Sequence, residues 1–99
     1  MYSVLVDDNF HFWDEDERYR LGTFPTCEDA EDACRGVVDR SLAELLRPGM
    51  TAEKLFDLYV TFGLDPFIPG EPFSAWDYAK QRAAEMTAPH IDSPPLAPR

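Results

Sequence analysis

Apolar and polar positions alternate near the start of the chain, then change to a three-four spacing after Thr26. That change predicts two strands followed by a long helix. Residues 2–6 (Tyr2, Ser3, Val4, Leu5, Val6) are apolar and β-branched, as a strand should be. Tyr2, Val4 and Val6 share one face and Ser3 and Leu5 the other, so neither face reads as wet. Asn9, Phe10, His11 and Phe12 either extend the strand or open a loop, and Asp14, Glu15 and Asp16 mark a turn. Arg18 and Arg20 then alternate with Tyr19 and Leu21, which predicts a half-buried strand ending at Phe24. Residues 2–6 and 19–24 are expected to pair as a β-hairpin.

Thr26 is a natural N-cap, and Asp29 stands where a capping-box acid belongs. The apolar stripe Ala30, Ala33, Cys34, Val37, Val38, Leu42, Leu45 and Leu46 makes a long helix that Pro48 and Gly49 stop near Arg47. Glu31 with Arg35, and Arg40 with Glu44, are expected as exposed four-apart ion pairs. Thr51 caps a second helix over residues 52–62, with Gly63 in the left-handed terminator position. Residues 64–73 carry Pro66, Pro69, Gly70 and Pro72 among Phe67, Ile68 and Phe73, which reads as an ordered loop. Ser74 caps a third helix with Asp77 at the capping-box position. Its apolar members are Trp76, Ala79, Ala83 and Met86, with Tyr78 on a flank. Phe73 and Trp76 bracket the cap and are expected to plug one end of the core. After Pro89 the chain reads as a disordered, Pro-rich tail.

The expected fold class is therefore α+β. A hairpin packs on a long amphipathic helix, two shorter helices follow, and the tail is loose. Residues 1–88 form one domain and residues 89–99 the tail. A two-stranded ribbon is marginal by itself and leaves two edges open. Its second face is covered either by the two shorter helices or by a second copy of the chain in a symmetric dimer.

Composition narrows the function classes. Ninety-nine residues suit one domain, which at this size buries roughly 65% of the unfolded chain's surface without help from metal or disulfides. The net charge of −10 repels phosphate backbones and anionic membranes and favours a basic protein partner. Cys27 and Cys34 lie two helical turns apart, about 10 Å between α-carbons, too far to join within an intact helix. With no basic, apolar N-terminal signal and no long apolar run, a reducing cytoplasm is the expected compartment.

The stretch Tyr19, Arg20, Leu21, Gly22, Thr23, Phe24, Pro25, Thr26, Cys27, Glu28, Asp29, Ala30 resembles a local strand-helix pattern of the plant ethylene-response-factor DNA-binding domain. The likeness covers that stretch alone. The arginine-rich strands of that family are missing and the charge has the wrong sign, so DNA reading is not implied. Over most of its length the chain is also similar to short, uncharacterised acidic bacterial proteins. The similarity lies in residues 6–11, 49–53, 65–68 and 73–76, and implies a shared fold without an activity.

Candidate chemistry is sparse. Asp7, Asp8, His11 and Asp14 offer metal-ligand atoms, but their spacing fits neither a calcium loop nor a zinc signature. His11 with Asp7 or Asp8 makes a conceivable general base, and Arg18, Arg20 and Arg35 are the nearest anion-binding groups for a small enzyme or small-molecule site. Cys34 falls on the buried stripe, carboxylates surround Cys27, and Ser41 and Ser74 lack a nucleophile's setting. No phosphate-cradling glycine loop exists. No catalytic residue, metal or cofactor is therefore assigned.

The acidic connection between the strands is the more suggestive feature. Asp7, Asp8, Asp14, Glu15, Asp16 and Glu17 crowd it without an intervening lysine or arginine. Phe12 and Trp13 beside them would make an aromatic surface rimmed by carboxylates. Phe12, Trp13, Asp14, Glu15, Asp16 and Glu17 are accordingly the expected contact residues for a basic protein partner. A nucleic-acid-mimicking inhibitor is the rival within the same class, and it needs carboxylates spaced about 6–7 Å apart, like phosphates along a strand.

Overall fold

The stripe after Thr26 folds as the helix it predicts. In the computed structural model of the protein, which describes residues 1–11 and 18–88, α1 runs Cys27–Leu45. Thr26 is extended, and its hydroxyl accepts the Asp29 N–H at 3.1 Å, satisfying one orphan donor of the first turn. Ala30, Cys34, Val37, Val38 and Leu42 are buried, so the apolar stripe points inward. The last turn has no base of its own. Arg47 reaches back instead, donating to the Glu44 and Leu46 carbonyl oxygens at 2.8 and 2.9 Å. Gly49, at φ 80°, then reverses the chain. Arg35 pairs with Glu31 at 3.4 Å and with Asp32 at 2.6 Å. The expected Arg40–Glu44 pair is not formed among the described residues, and such exposed pairs contribute too little to hold their geometry.

β1 (Tyr2–Asp8) and β2 (Tyr19–Phe24) pair antiparallel, with Tyr2 opposite Phe24 and Val4 opposite Gly22. β1 runs two residues further than expected before a 3-10 turn at Asn9–His11. The simple alternation predicted for β2 fails at a bulge. Val4 faces Gly22 while its neighbour Leu5 faces Arg20, so Leu21 has no partner and the side-chain order is reversed beyond it. Tyr19 and Leu21 are exposed, and Phe24 packs toward the core.

The largest departure from expectation lies at residues 64–67. They are not loop but β3 (Leu64–Phe67), which pairs antiparallel with the other edge of β1 and gives a sheet of order β2-β1-β3. Pro66 is tolerated because β3 is an edge strand, where a missing N–H need not break the ladder. The chain's own strand thus closes an edge of β1 that the sequence left open.

Thr51 and Ser74 cap α2 (Ala52–Phe62) and α3 (Ala75–Thr87), each accepting the N–H three residues on. The core has two parts with α1 between them. One holds Val4, Val6, Ala30, Cys34, Val37 and Ile68; the other holds Val38, Leu42, Leu55, Tyr59, Ala75 and Ala79; Phe73 touches both. Helices α2 and α3 pack on α1 and on each other, and α3 also meets β3. Ala75, Ala79 and Ala83 bring α3 close to its neighbours, and Tyr78 and Arg82 tie it to Asp39 of α1 at 2.9 and 3.1 Å. That inward alanine line turns Trp76 outward: it is 42% exposed and plugs nothing. No helix among the described residues is long and apolar enough to cross a membrane. The tail assigned to residues 89–99 lies outside the described residues.

Candidate functional site

A knot of backbone and side-chain hydrogen bonds places β3 beside the turn after β1. The Tyr59 carbonyl oxygen accepts from the Asn9 side chain at 3.0 Å and from the Gly63 N–H at 2.8 Å. Asn9 N–H donates to the Gly63 carbonyl at 2.9 Å, and the Tyr59 hydroxyl donates to the Leu64 carbonyl at 2.7 Å. Ser41, buried on α1, accepts the Leu64 N–H at 3.2 Å. These bonds satisfy the polar groups of a buried corner and hold the start of β3 in register.

In that register Asp65 stands directly opposite Asp7. Like charges at such a cross-strand pair are destabilising. Arg18 relieves one of the two: its guanidinium grips Asp7 in a two-bond fork at 2.6 and 3.2 Å and lies 5.1 Å from the centre of the Phe67 ring. Asp65 accepts no hydrogen bond from any described residue. Burial, and then the charge on Asp7, push its carboxyl up to about 6, from an ordinary value of 3.8.

Two joined clefts open around Asp65. The first, of about 570 Å³, is bounded by Asp7, Phe10, Val60, Asp65 and Trp76. The second, of about 460 Å³, shares Asp65 and Trp76 and adds Phe67, Phe73 and Asp77. Neither is lined by a lysine or arginine among the described residues. Phe10 stacks on Phe62 at 5.3 Å, and both rings are about half exposed. A further hollow beside Leu46, Met50 and Met86 is apolar except for Arg47, which already caps α1, and Thr87, whose hydroxyl donates to the Ala83 carbonyl. The groove around Asp65 is therefore where charge and aromatic surface meet.

The expected contact residues Phe12, Trp13, Asp14, Glu15, Asp16 and Glu17 all lie outside the described residues, as does the side chain of His11. The carboxylate row that mimicry requires falls partly on the same segment and partly on the acids that open α1, Glu28 and Asp29. Of the sequence-stated candidates, the structure brings Asp7 and Phe10 into the groove and turns Arg18 and Arg35 onto carboxylates of the chain itself. Sequence reasoning missed Asp65 and assigned Trp76 to the core. Asp65 sat in a segment read as loop, so its neighbour across the sheet was invisible. Its only local signal was an acid beside a proline and a phenylalanine.

The surroundings of both thiols disfavour the thiolate form. Burial, and secondarily Glu31, push Cys34 up to about 11, and desolvation with Glu71 and Glu31 nearby raises Cys27. Both are free cysteines. Among the described residues no three His, Cys, Asp or Glu side chains gather as a metal site.

No protein-family model matches the chain, and neither a curated protein nor a solved structure matches it.

The groove makes a prediction about stability. Asp65 holds its proton more tightly folded than unfolded, so folding stability is fullest below the unfolded value of 3.8 and falls as pH rises through about 6. Asp65→Asn removes that loss. Discounted for a groove open to solvent, the gain is about 1–2 kcal/mol at neutral pH and close to nothing near pH 3.5. Urea unfolding of both proteins at the two pH values checks this; an equal difference at both would rule out titration of Asp65 as the cause.

Proposed function

We propose that this protein is a small acidic interaction protein that regulates or scaffolds a basic partner through the groove around Asp65 and the acidic connection that follows β1. One observation carries the reading. Asp65 lines two neighbouring clefts with the exposed Trp76, Asp7 borders the first and Asp77 the second, and among the described residues no lysine or arginine lines either, on a chain of net charge −10. Such a surface attracts cations at long range through its field and holds them at short range against carboxylate and ring faces. Phe12, Trp13 and the four acids after them stand next in the chain and extend the same chemistry.

The test is fluorescence anisotropy with paired labelled peptides, one basic and aromatic, the other its acidic counterpart. The basic peptide is expected to bind, and to weaken steeply as salt rises to about 0.3 M, where surface charges are screened beyond several ångströms. Substituting Asp14, Asp16 and Trp13 together is expected to weaken it further. Equal binding of both peptides, or indifference to salt, would overturn the reading.

A further inference from the structure

The chain twice satisfies a guanidinium in one way, with a carboxylate at its edge and an aromatic ring under its face. Arg18 is forked by Asp7 and lies over Phe67 at 5.1 Å. Arg35 is held by Asp32 and Glu31 and lies 5.9 Å from the centre of Phe73. Asp65 and Trp76 form another carboxylate and ring that bound the same two clefts. Asp65 has no hydrogen-bonded partner within the described chain, and Trp76 is 42% exposed. Phe67 and Phe73, the two rings already under arginines, line the second of those clefts, so this pair continues a series rather than standing apart.

We propose that Asp65 and Trp76 receive the guanidinium of an arginine side chain presented by a basic protein partner. This rests on the function proposed above and names the group that enters. The carboxylate supplies a planar two-oxygen acceptor and the indole a π-face, the two surfaces a guanidinium uses together. A lysine ammonium is more strongly hydrated and cannot lie flat on a ring, so it gains less in a half-buried groove. Asp7 does not compete for the newcomer, because Arg18 already holds both of its oxygens. Asp77, at the start of α3, adds a second negative charge at the rim of the second cleft. Entry of the cation replaces the proton that Asp65 retains, so arginine binding is expected to strengthen between pH 5 and 7.

The experiment uses the full chain labelled with ¹⁵N. It is titrated with a short peptide bearing one arginine between apolar residues, and with the same peptide carrying citrulline or lysine in its place. The Trp76 indole N–H and the Asp65 amide are expected to shift with the arginine peptide. Its affinity should exceed that of the citrulline peptide about tenfold, the size of a charge-assisted hydrogen bond in a partly dry site. Asp65→Asn and Trp76→Ala should each remove that preference while Trp76→Phe keeps most of it. Asp65→Asn lifts a cross-strand repulsion and Trp76 is exposed, so both variants are expected to stay folded. If arginine and citrulline bind alike, or the preference survives Asp65→Asn, the assignment fails, even where basic peptides still bind with salt dependence. If no basic peptide binds at all, the function proposed above fails and this assignment with it.

Discussion

Tyr59→Ala is expected to destabilise the protein by about 3–5 kcal/mol, the range for emptying a buried aromatic site. Tyr59 is the largest fully buried side chain, enclosed by α1, α2 and α3 in the helical half of the core. Its ring fills the space, and its hydroxyl, held protonated by burial, donates to the Leu64 carbonyl at 2.7 Å. Alanine removes the packing and takes that donor from the partly buried Leu64 carbonyl. For a domain of this size the loss corresponds to a fall in Tm of roughly 20 °C. It is also a large share of the roughly 5–15 kcal/mol that holds such a domain folded. Tyr59→Phe separates the contributions: it keeps the ring, loses one hydrogen bond, and is expected to cost about 1 kcal/mol. Thermal unfolding followed by circular dichroism measures both. A small effect of alanine would mean that the helical half of the core closes around the gap.

Gly63→Ala is the second large effect, expected at about 2–3 kcal/mol, the upper part of the overpacking range. Gly63 was read from sequence as a left-handed helix terminator, and this reading is corrected by its backbone. Its φ of −79° and ψ of 178° are extended and open to any residue. The requirement is for space. A Cβ at this position would lie 2.8 Å from the Tyr59 carbonyl oxygen and closer still to the edge of its ring. Neither can retreat, because that carbonyl accepts two hydrogen bonds and the ring is fully buried. The strain would move the start of β3, and with it Asp65. Gly63→Ala is therefore expected to weaken binding of basic peptides as well as stability, even at temperatures where the variant remains folded. Gly49→Ala makes the comparison: its φ of 80° is costly for alanine but nothing crowds it, and it lies far along the chain from the groove. It should lower stability and leave peptide affinity unchanged. Equal loss of affinity in both variants would count against the positioning role of Gly63.

The groove and the stability of the fold pull against each other at Asp65. A carboxylate facing Asp7 costs the folded state, and Asn in its place is expected to stabilise it. Binding surfaces commonly retain such local penalties, because the same unpaired group that destabilises the free protein is what a ligand satisfies.

Local chemistry in the sequence was enough to locate the helices and their caps. Thr26, Thr51 and Ser74 each cap a helix by accepting the N–H three residues on. The stripe from Ala30 to Leu42 is buried as its spacing requires. The pairing of residues 2–6 with 19–24 was also legible, since two apolar runs flanked a polar connection. These features depend on residues a few positions apart, whose interactions are the same in any fold that contains the helix or the hairpin. Tertiary structure alone decided the third strand, the outward turn of Trp76 and the meeting of Asp65 with Asp7. Each depends on contacts between distant segments: Asn9 with Tyr59, Ser41 with Leu64, β1 with β3. A proline-bearing tetrapeptide has no periodicity to betray a strand, and only the knot around Tyr59 brings it to the edge of β1. The groove is built where those distant segments close on one another, and its charge pattern exists only once they have done so.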